Sequence, residues 1–203
     1  MGQFWSEASV EPKRQFRWLL SLPVNTQHGV QAAIETYAVR SVNKPTFTVA
    51  EQAVNYLAHT YKYPGRFTWS DVNVTLVDLI QPDQSGIIAE VLRSSGYRIP
   101  DGELNSQFSF SKKDAVTALG TPVLTQIDAG NPMKNQKPVP VEKWTLINAW
   151  LKEVKFGDTL NYTSEELVEV SLTIAYDWAE YDATAPGSGK AIVPILTHEE
   201  PPV

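Results

Sequence analysis

Three histidines, at positions 28, 59 and 198, and a complete lack of cysteine set the first limits on what chemistry this chain can do. No histidine stands four residues from another, so no helix can present paired imidazoles to a zinc ion. His198, Glu199 and Glu200 are metal-ligating types, but in this setting they read as an exposed acidic tail. Without cysteine there is no thiolate nucleophile, thiolate zinc site, iron–sulfur cluster or disulfide. No G-x-S-x-G elbow occurs. Gly187-Ser188-Gly189-Lys190 has the flavour of a phosphate loop, yet that loop needs Gly where Thr184 stands and Ser or Thr where Ala191 stands. The carboxylate pairs Glu165-Glu166 and Asp177 with Glu180 are of the right type for acid–base work. They read more simply as strand ends facing water. Asn73-Val74-Thr75 and Asn161-Tyr162-Thr163 fit the glycosylation pattern, but nothing routes the chain to the secretory pathway. The expectation is a non-enzyme, with no catalytic, cofactor or metal residues.

Binding is the chemistry that remains, and the apolar residues in unusual places carry it. Of the six tryptophans, Trp18, Trp69, Trp144 and Trp178 fall inside predicted strands, which favours core positions. Trp5 does not. With Phe4 it forms an aromatic pair in an arm spanning residues 1–12, placed to dock on a neighbouring subunit. Residues 47–64 carry Val54, Tyr56, Leu57, Tyr61 and Tyr63 without clean periodicity, over a span longer than a hairpin loop of about 2–5 residues. They predict a long protruding hairpin or loop. In the Pro- and Gly-rich tail, Ile192, Val193, Ile195 and Leu196 cluster around Pro194, which bars a helix or a central strand and leaves an extended edge segment.

The elements that must position these residues are mostly strands. Residues 14–22 read as a strand stopped by Pro23. Residues 31–42 fit a helix and a strand equally well, through Val30, Ala33, Ile34, Tyr37 and Ala38 on one reading and Tyr37, Val39 and Ser41 on the other. A turn is expected at Tyr63-Pro64-Gly65, then one long strand over 66–79 whose polar side switches midway, suggesting a bulge. Asp83 or Ser85 caps a helix that buries Ile87, Ile88, Val91 and Leu92 and ends at Gly96. A capping box, Ser111-Lys112-Lys113-Asp114, opens a second helix ending at Gly120. Single strands are predicted over 122–128, 142–154 and 166–181. The last alternates sharply, with Val168, Val170, Leu172 and Ile174 opposite Glu169, Ser171 and Thr173.

The chain has 203 residues, 42% of them hydrophobic, which suits one domain with a real core. Seventeen Lys and Arg against 23 Asp and Glu give a net charge of −6, the wrong sign for gripping nucleic acid through phosphate contacts. No apolar run is long enough to span a bilayer. The first residues lack signal-peptide features. They match the loose myristoylation pattern, with no polybasic second anchor, so the unmodified reading is preferred.

The stretch from Trp144 to Val154, the turn-rich connection from Phe156 to Ser164, and the alternating run from Glu166 to Trp178 together resemble the tail tube proteins of contractile-tailed bacteriophages. An early strand from Arg17 to Leu22 and the Phe67 to Val74 strand agree more loosely. Residues 97–110 and 182–203 depart from the family as extra length. Haemolysin-coregulated secretion-tube proteins share the fold.

The resemblance implies a mainly β, α+β fold: a tail-tube-type β-sandwich or barrel with one or two short helices, whose sheets join between subunits into a closed β-barrel. It divides the chain into the arm 1–12, a tube domain 13–181 with an insertion near 97–121, and the tail 182–203, and it makes 31–42 a strand. It further implies homohexameric rings stacked into the inner tail tube of a virion, assembled in the host cytoplasm, through which DNA passes. The implied partners are copies of itself, the tail sheath protein, a baseplate or tube initiator, a tail terminator, and a tape measure protein and DNA held without sequence-specific contacts. A wall of net negative charge would let DNA slide without sticking. A tube-like baseplate or terminator protein and a secretion-system tube homologue stay open as alternatives.

Overall fold

The computed structural model describes residues 12–25, 34, 36–97, 110–129, 138–163 and 165–183, with the backbone of Ala191–Val193. Among the described residues the fold is two antiparallel sheets, one separate two-stranded ribbon and two short helices. The first sheet has the order β1 (Trp18–Ser21), β6 (Val123–Ile127), β7 (Pro140–Ile147), β10 (Trp178–Ala183) and β11 (Ala191–Val193). The second has β2 (Val39–Val42), β5 (Val72–Val77), β9 (Glu169–Ala175) and β8 (Trp150–Lys155). The ribbon is β3 (Thr46–Tyr56) with β4 (His59–Ser70).

Alternation decides what each sheet buries. Val72, Val74 and Leu76 of β5, and Val170, Leu172 and Ile174 of β9, all point inward. They meet Leu20, Leu124, Leu146 and Ala179 of the first sheet. Helix α1 (Gln84–Ser94) adds Ile88 and Val91 to the same core, and α2 (Lys112–Leu119) adds Ala118 and Leu119. Both helices start where capping chemistry predicts. The Asp83 side chain accepts from the Gly86 amide, and the Ser111 hydroxyl accepts from the Asp114 amide. Gly96 and Gly120 follow the helices with positive φ. The stretch 31–42 resolves, where described, into a 3-10 turn at Thr36–Ala38 leading into β2.

Three expected single strands are pairs of strands. The run 142–154 breaks at Asn148, φ 55°, and passes from β7 in the first sheet to β8 in the second. The run 166–181 breaks at Tyr176-Asp177 and passes from β9 to β10 in the opposite sense. The two crossings form one corner of the sandwich, where strands change sheets through a bend. The break also resets the alternation, so Ala179 turns inward and Trp178 stays exposed, contrary to its expected core position. Trp18, Trp69 and Trp144 pack against the core as expected. The run 66–79 breaks at Asp71 between β4 and β5. Tyr63-Pro64-Gly65 is not a turn but part of β4; the chain reverses at Leu57-Ala58.

Candidate subunit interface

The β3–β4 ribbon extends beyond one end of the second sheet. Val42 pairs with Val74 in the sheet, and after a short joint Thr46 pairs with Ser70 in the ribbon. Eleven residues of β3 at about 3.3 Å each give a projection of roughly 35 Å. Its residues are exposed apart from the half-buried Trp69.

The joint is pinned from both sides. Asn43 donates from Nδ2 to the Asp71 carbonyl at 3.4 Å and accepts from the Asn73 amide. Lys152 of β8 donates to Asp71 at 2.7 Å. Lys44 reaches into the first sheet, donating to Gln126 Oε1 at 2.7 Å and Glu142 Oε1 at 2.6 Å. The Trp69 ring lies 5.8 Å from that of Tyr176. Glu142 is a hub: its carboxylate also takes bonds from Lys13 and from Trp144 Nε1, and its side chain is only 5% exposed. Burial alone would raise its pKa, but Lys13, Lys44 and Trp144 together lower it to about 2.

The ribbon's apolar side changes along its length. At the base, Phe47 faces Trp69 and Val49 faces Phe67. The Phe47 ring sits 5.7 Å from Phe67 and 5.2 Å from Trp69. Between Val49 and Glu51 the register shifts, with Gly65-Arg66 lying against Ala50 as a bulge on β4. Beyond it, Gln52 faces Tyr63, Val54 faces Tyr61 and Tyr56 faces His59. On unbulged β3, Val49 and Val54 are five residues apart and so lie on opposite faces. The tyrosine-rich face at the tip is therefore the reverse of the aromatic face at the base. The other tip face is polar and self-satisfied: Thr60 donates to Asn55 at 2.9 Å, and Lys62 pairs with Glu51 at 3.1 Å. At Gly65 a Cβ would come within 2.9 Å of the Ala50 carbonyl oxygen, so glycine is what permits this close crossing.

The five candidate residues on the ribbon, Val54, Tyr56, Leu57, Tyr61 and Tyr63, are thus brought together at its tip, Leu57 being 88% exposed. Phe4, Trp5, Ile195 and Leu196 lie outside the described residues. For Ile192 and Val193 the backbone is described: they pair with Asp182 and Tyr181 in β11, at the edge of the first sheet. Sequence reasoning missed the base residues Phe47, Val49 and Phe67, because it put a turn at Tyr63-Pro64-Gly65 and began a new strand at residue 66, inside the ribbon. It also missed exposed apolar residues at the far end of the second sheet, among them Ile80, Leu160, Tyr162 and Leu167. The signal for those was present: large apolar side chains within turn-rich connections.

Among the described residues no three His, Asp or Glu side chains gather as a metal site. No described helix is long and apolar enough to cross a membrane.

The chain matches no protein-family model, and it matches no curated protein sequence. Similarity appears at the level of solved structures. A chain of the anti-feeding prophage baseplate, in a six-fold symmetrised structure, superposes with a TM-score of 0.55 at 13% identity, over 84% of this chain and 95% of that one. A chain of the sheath/tube terminator of PVC, an extracellular contractile injection system, gives 0.55 at 12% identity, over 87% and 100%. One from the PVC sheath–tube complex gives 0.54 at 13% identity, over 90% and 99%. At such identities the likeness is one of fold: this chain shares the mainly β, two-helix architecture of subunits found in contractile injection assemblies.

Proposed function

We propose that the protein is a structural subunit that self-associates into homohexameric rings, stacked as a hollow tube in a contractile injection apparatus. The observation that carries this is the β3–β4 ribbon, which displays aromatic residues on both faces and leaves Phe47, Phe67, Tyr56, Tyr61 and Tyr63 exposed. Soluble monomers avoid such apolar surface, whereas a subunit that is always assembled buries it against a neighbour. The sandwich is also open. Each sheet ends in edge strands, β1 and β11 in one and β2 and β8 in the other. Joining edges between subunits into a closed barrel would remove that liability. Phe4 and Trp5 of the arm, and the apolar residues around Pro194, are assigned to contacts between subunits as well.

Two settings share this assembly. One is the inner tail tube of a phage virion, passing DNA and meeting sheath, terminator and tape measure proteins. The other is a tube, terminator or baseplate subunit of an injection or secretion apparatus. The fold likeness to baseplate, terminator and sheath–tube chains favours the second.

Negative-stain microscopy of the purified protein tests the assembly. Six-fold rings, alone or stacked, are expected; a monodisperse monomer at every concentration overturns the reading. Particles isolated with this chain then separate the settings, since a DNA-filled capsid marks the phage and a headless particle the injection apparatus.

A further inference from the structure

The inner face of the first sheet turns polar at one end. Leu20, Leu124 and Leu146 point into the core. Further along the same strands come Trp18, Gln126 and Glu142, side by side in register. The second sheet does not close over them. Arg40, Ser41 and Val42 of β2 stand opposite and leave an open cavity of about 590 Å³ between the sheets. A second cavity, of about 450 Å³, continues past Trp18 and Arg40, which line both. Apolar side chains would seal this mouth more simply, since a buried carboxylate tied to lysines is seldom more stabilising than a well-packed apolar cluster. What the arrangement supplies is cations held in fixed places. Glu142, 5% exposed, sits behind Lys13 and Lys44, which are each about half exposed. Gln126 is anchored through Nε2 on the Arg14 carbonyl at 3.1 Å and accepts from Lys44 at 2.7 Å. An ammonium group has three N–H donors. Lys44 spends two, on Gln126 and Glu142, and Lys13 spends one, on Glu142. That leaves two on Lys13 and one on Lys44 without a further acceptor among the described residues. Arg40 pairs with Glu169 through one guanidinium nitrogen, and the rest of its fork stays largely exposed.

We propose that this mouth binds a small phosphomonoester, with the phosphoryl group held by Lys13, Lys44 and Arg40 and a flat organic portion lying along Trp18. The charge balance favours an anion: Lys13, Arg40 and Lys44 line the cavity against Glu142 alone, in a chain whose net charge is −6. The donor count favours phosphate over carboxylate. A phosphoryl group offers three strong acceptor oxygens and close to two negative charges, where a carboxylate offers two oxygens and one charge. A guanidinium beside the ammonium groups suits the same ligand. Glu142 does not repel it, because an anion entering from the open side meets the lysines first; the carboxylate behind them fixes their positions before the ligand arrives. Size argues for more than inorganic phosphate. The cavity falls in the range of about 300–1,000 Å³ typical of small-molecule sites, and half-buried Trp18 presents a ring to it. The site belongs to the single subunit and stands or falls separately from the ring-and-tube reading.

Phenyl phosphate is the probe, and inorganic phosphate and phenol are its two halves. Calorimetric titration of the purified full chain at low ionic strength is expected to give one saturable site per chain for phenyl phosphate. Inorganic phosphate should bind about tenfold more weakly for want of the ring on Trp18, and phenol should show no measurable binding. Lys13→Met and Arg40→Met should each weaken phenyl phosphate binding about tenfold or more, the loss expected for hydrogen bonds to a charged group. Lys62→Met removes the same charge on the ribbon, outside the cavity, and should bind as wild type does. Melting curves establish that each variant is folded; should Lys13→Met unfold through its bond to Glu142, Arg40→Met carries the test alone. Three results overturn the proposal: no saturable site for phenyl phosphate, wild-type affinity in folded Arg40→Met protein, or an equal loss in Lys62→Met, which would reveal only diffuse attraction to positive charge.

Discussion

Asn148 donates from Nδ2 to Asp177 Oδ2 at 2.8 Å, joining the two points at which the chain crosses between sheets. The Asp177 amide donates to the Ile147 carbonyl at 3.0 Å, and Lys112 of α2 holds both carboxylate oxygens at 2.7 Å. One aspartate thus fixes a helix and both bends of the corner. Burial would raise its pKa, but the bonds from Lys112 and Asn148 outweigh that and hold it below the usual carboxylate value.

Asp177→Ala should therefore destabilise the subunit by about 1.5–3 kcal/mol, the range for hydrogen bonds to a charged group. The lower half is expected because the side chain is 35% exposed and water can replace part of the loss. Urea unfolding of the dissociated subunit measures it. A change within about 0.3 kcal/mol would mean that the corner is held by sheet pairing alone.

Glu142 gives a pH signature. Its pKa falls from the ordinary glutamate value of 4.5 to about 2 in the folded chain. A depressed carboxylate contributes stability above its unfolded pKa, and that contribution is lost as the pH drops through the folded one. The loss should lie between pH 4.5 and 2. Glu142→Gln should lower stability at pH 7 and flatten the acid limb of the stability profile in that window. An unchanged slope there would show that Lys13 and Lys44 are solvated independently of it.

Gly120 ends α2 with φ 72° and ψ −152°, a region open almost only to glycine. A Cβ there would also overlap the Pro23 carbonyl oxygen. Gly120→Ala should cost roughly 2 kcal/mol or more, combining strain of about 1–3 kcal/mol with displacement of the 23–25 segment. A melting temperature equal to wild type would contradict this.

Gly65→Val tests the bulge. The added side chain cannot sit against the Ala50 carbonyl without moving backbone. Since the ribbon forms its own sheet, the body should melt within about 2 °C of wild type, consistent with the small effect of changes away from the core. Assembly should fall several-fold, because the tip face would turn relative to the base. Wild-type assembly by a folded Gly65→Val protein would show that the face switch is immaterial.

By itself the sequence determined what is local. Ser111 with Asp114, and Asp83 before its apolar stripe, announced both helices, because a cap is a contact between residues three positions apart. The alternation of Val170, Leu172 and Ile174 announced a half-wet strand. The exposed, aperiodic tyrosines of 54–63 announced a projection, since apolar residues without a consistent inward side have no core to enter. Tertiary structure decided the rest. Period-2 alternation reads the same whether a strand stays in one sheet or bends into another, so the breaks at Asn148 and Asp177 were invisible in 142–154 and 166–181. Tyr61, Tyr63, Phe67 and Trp69 all fall on odd positions and look like one face; the bulge at Gly65-Arg66 sends the first two and last two to opposite sides. Glu142 is a buried carboxylate because Lys13 and Lys44, distant in sequence, close over it. In each case the deciding partner lies tens of residues away or in the hydrogen-bond register, and neither is encoded in the spacing of neighbours along the chain.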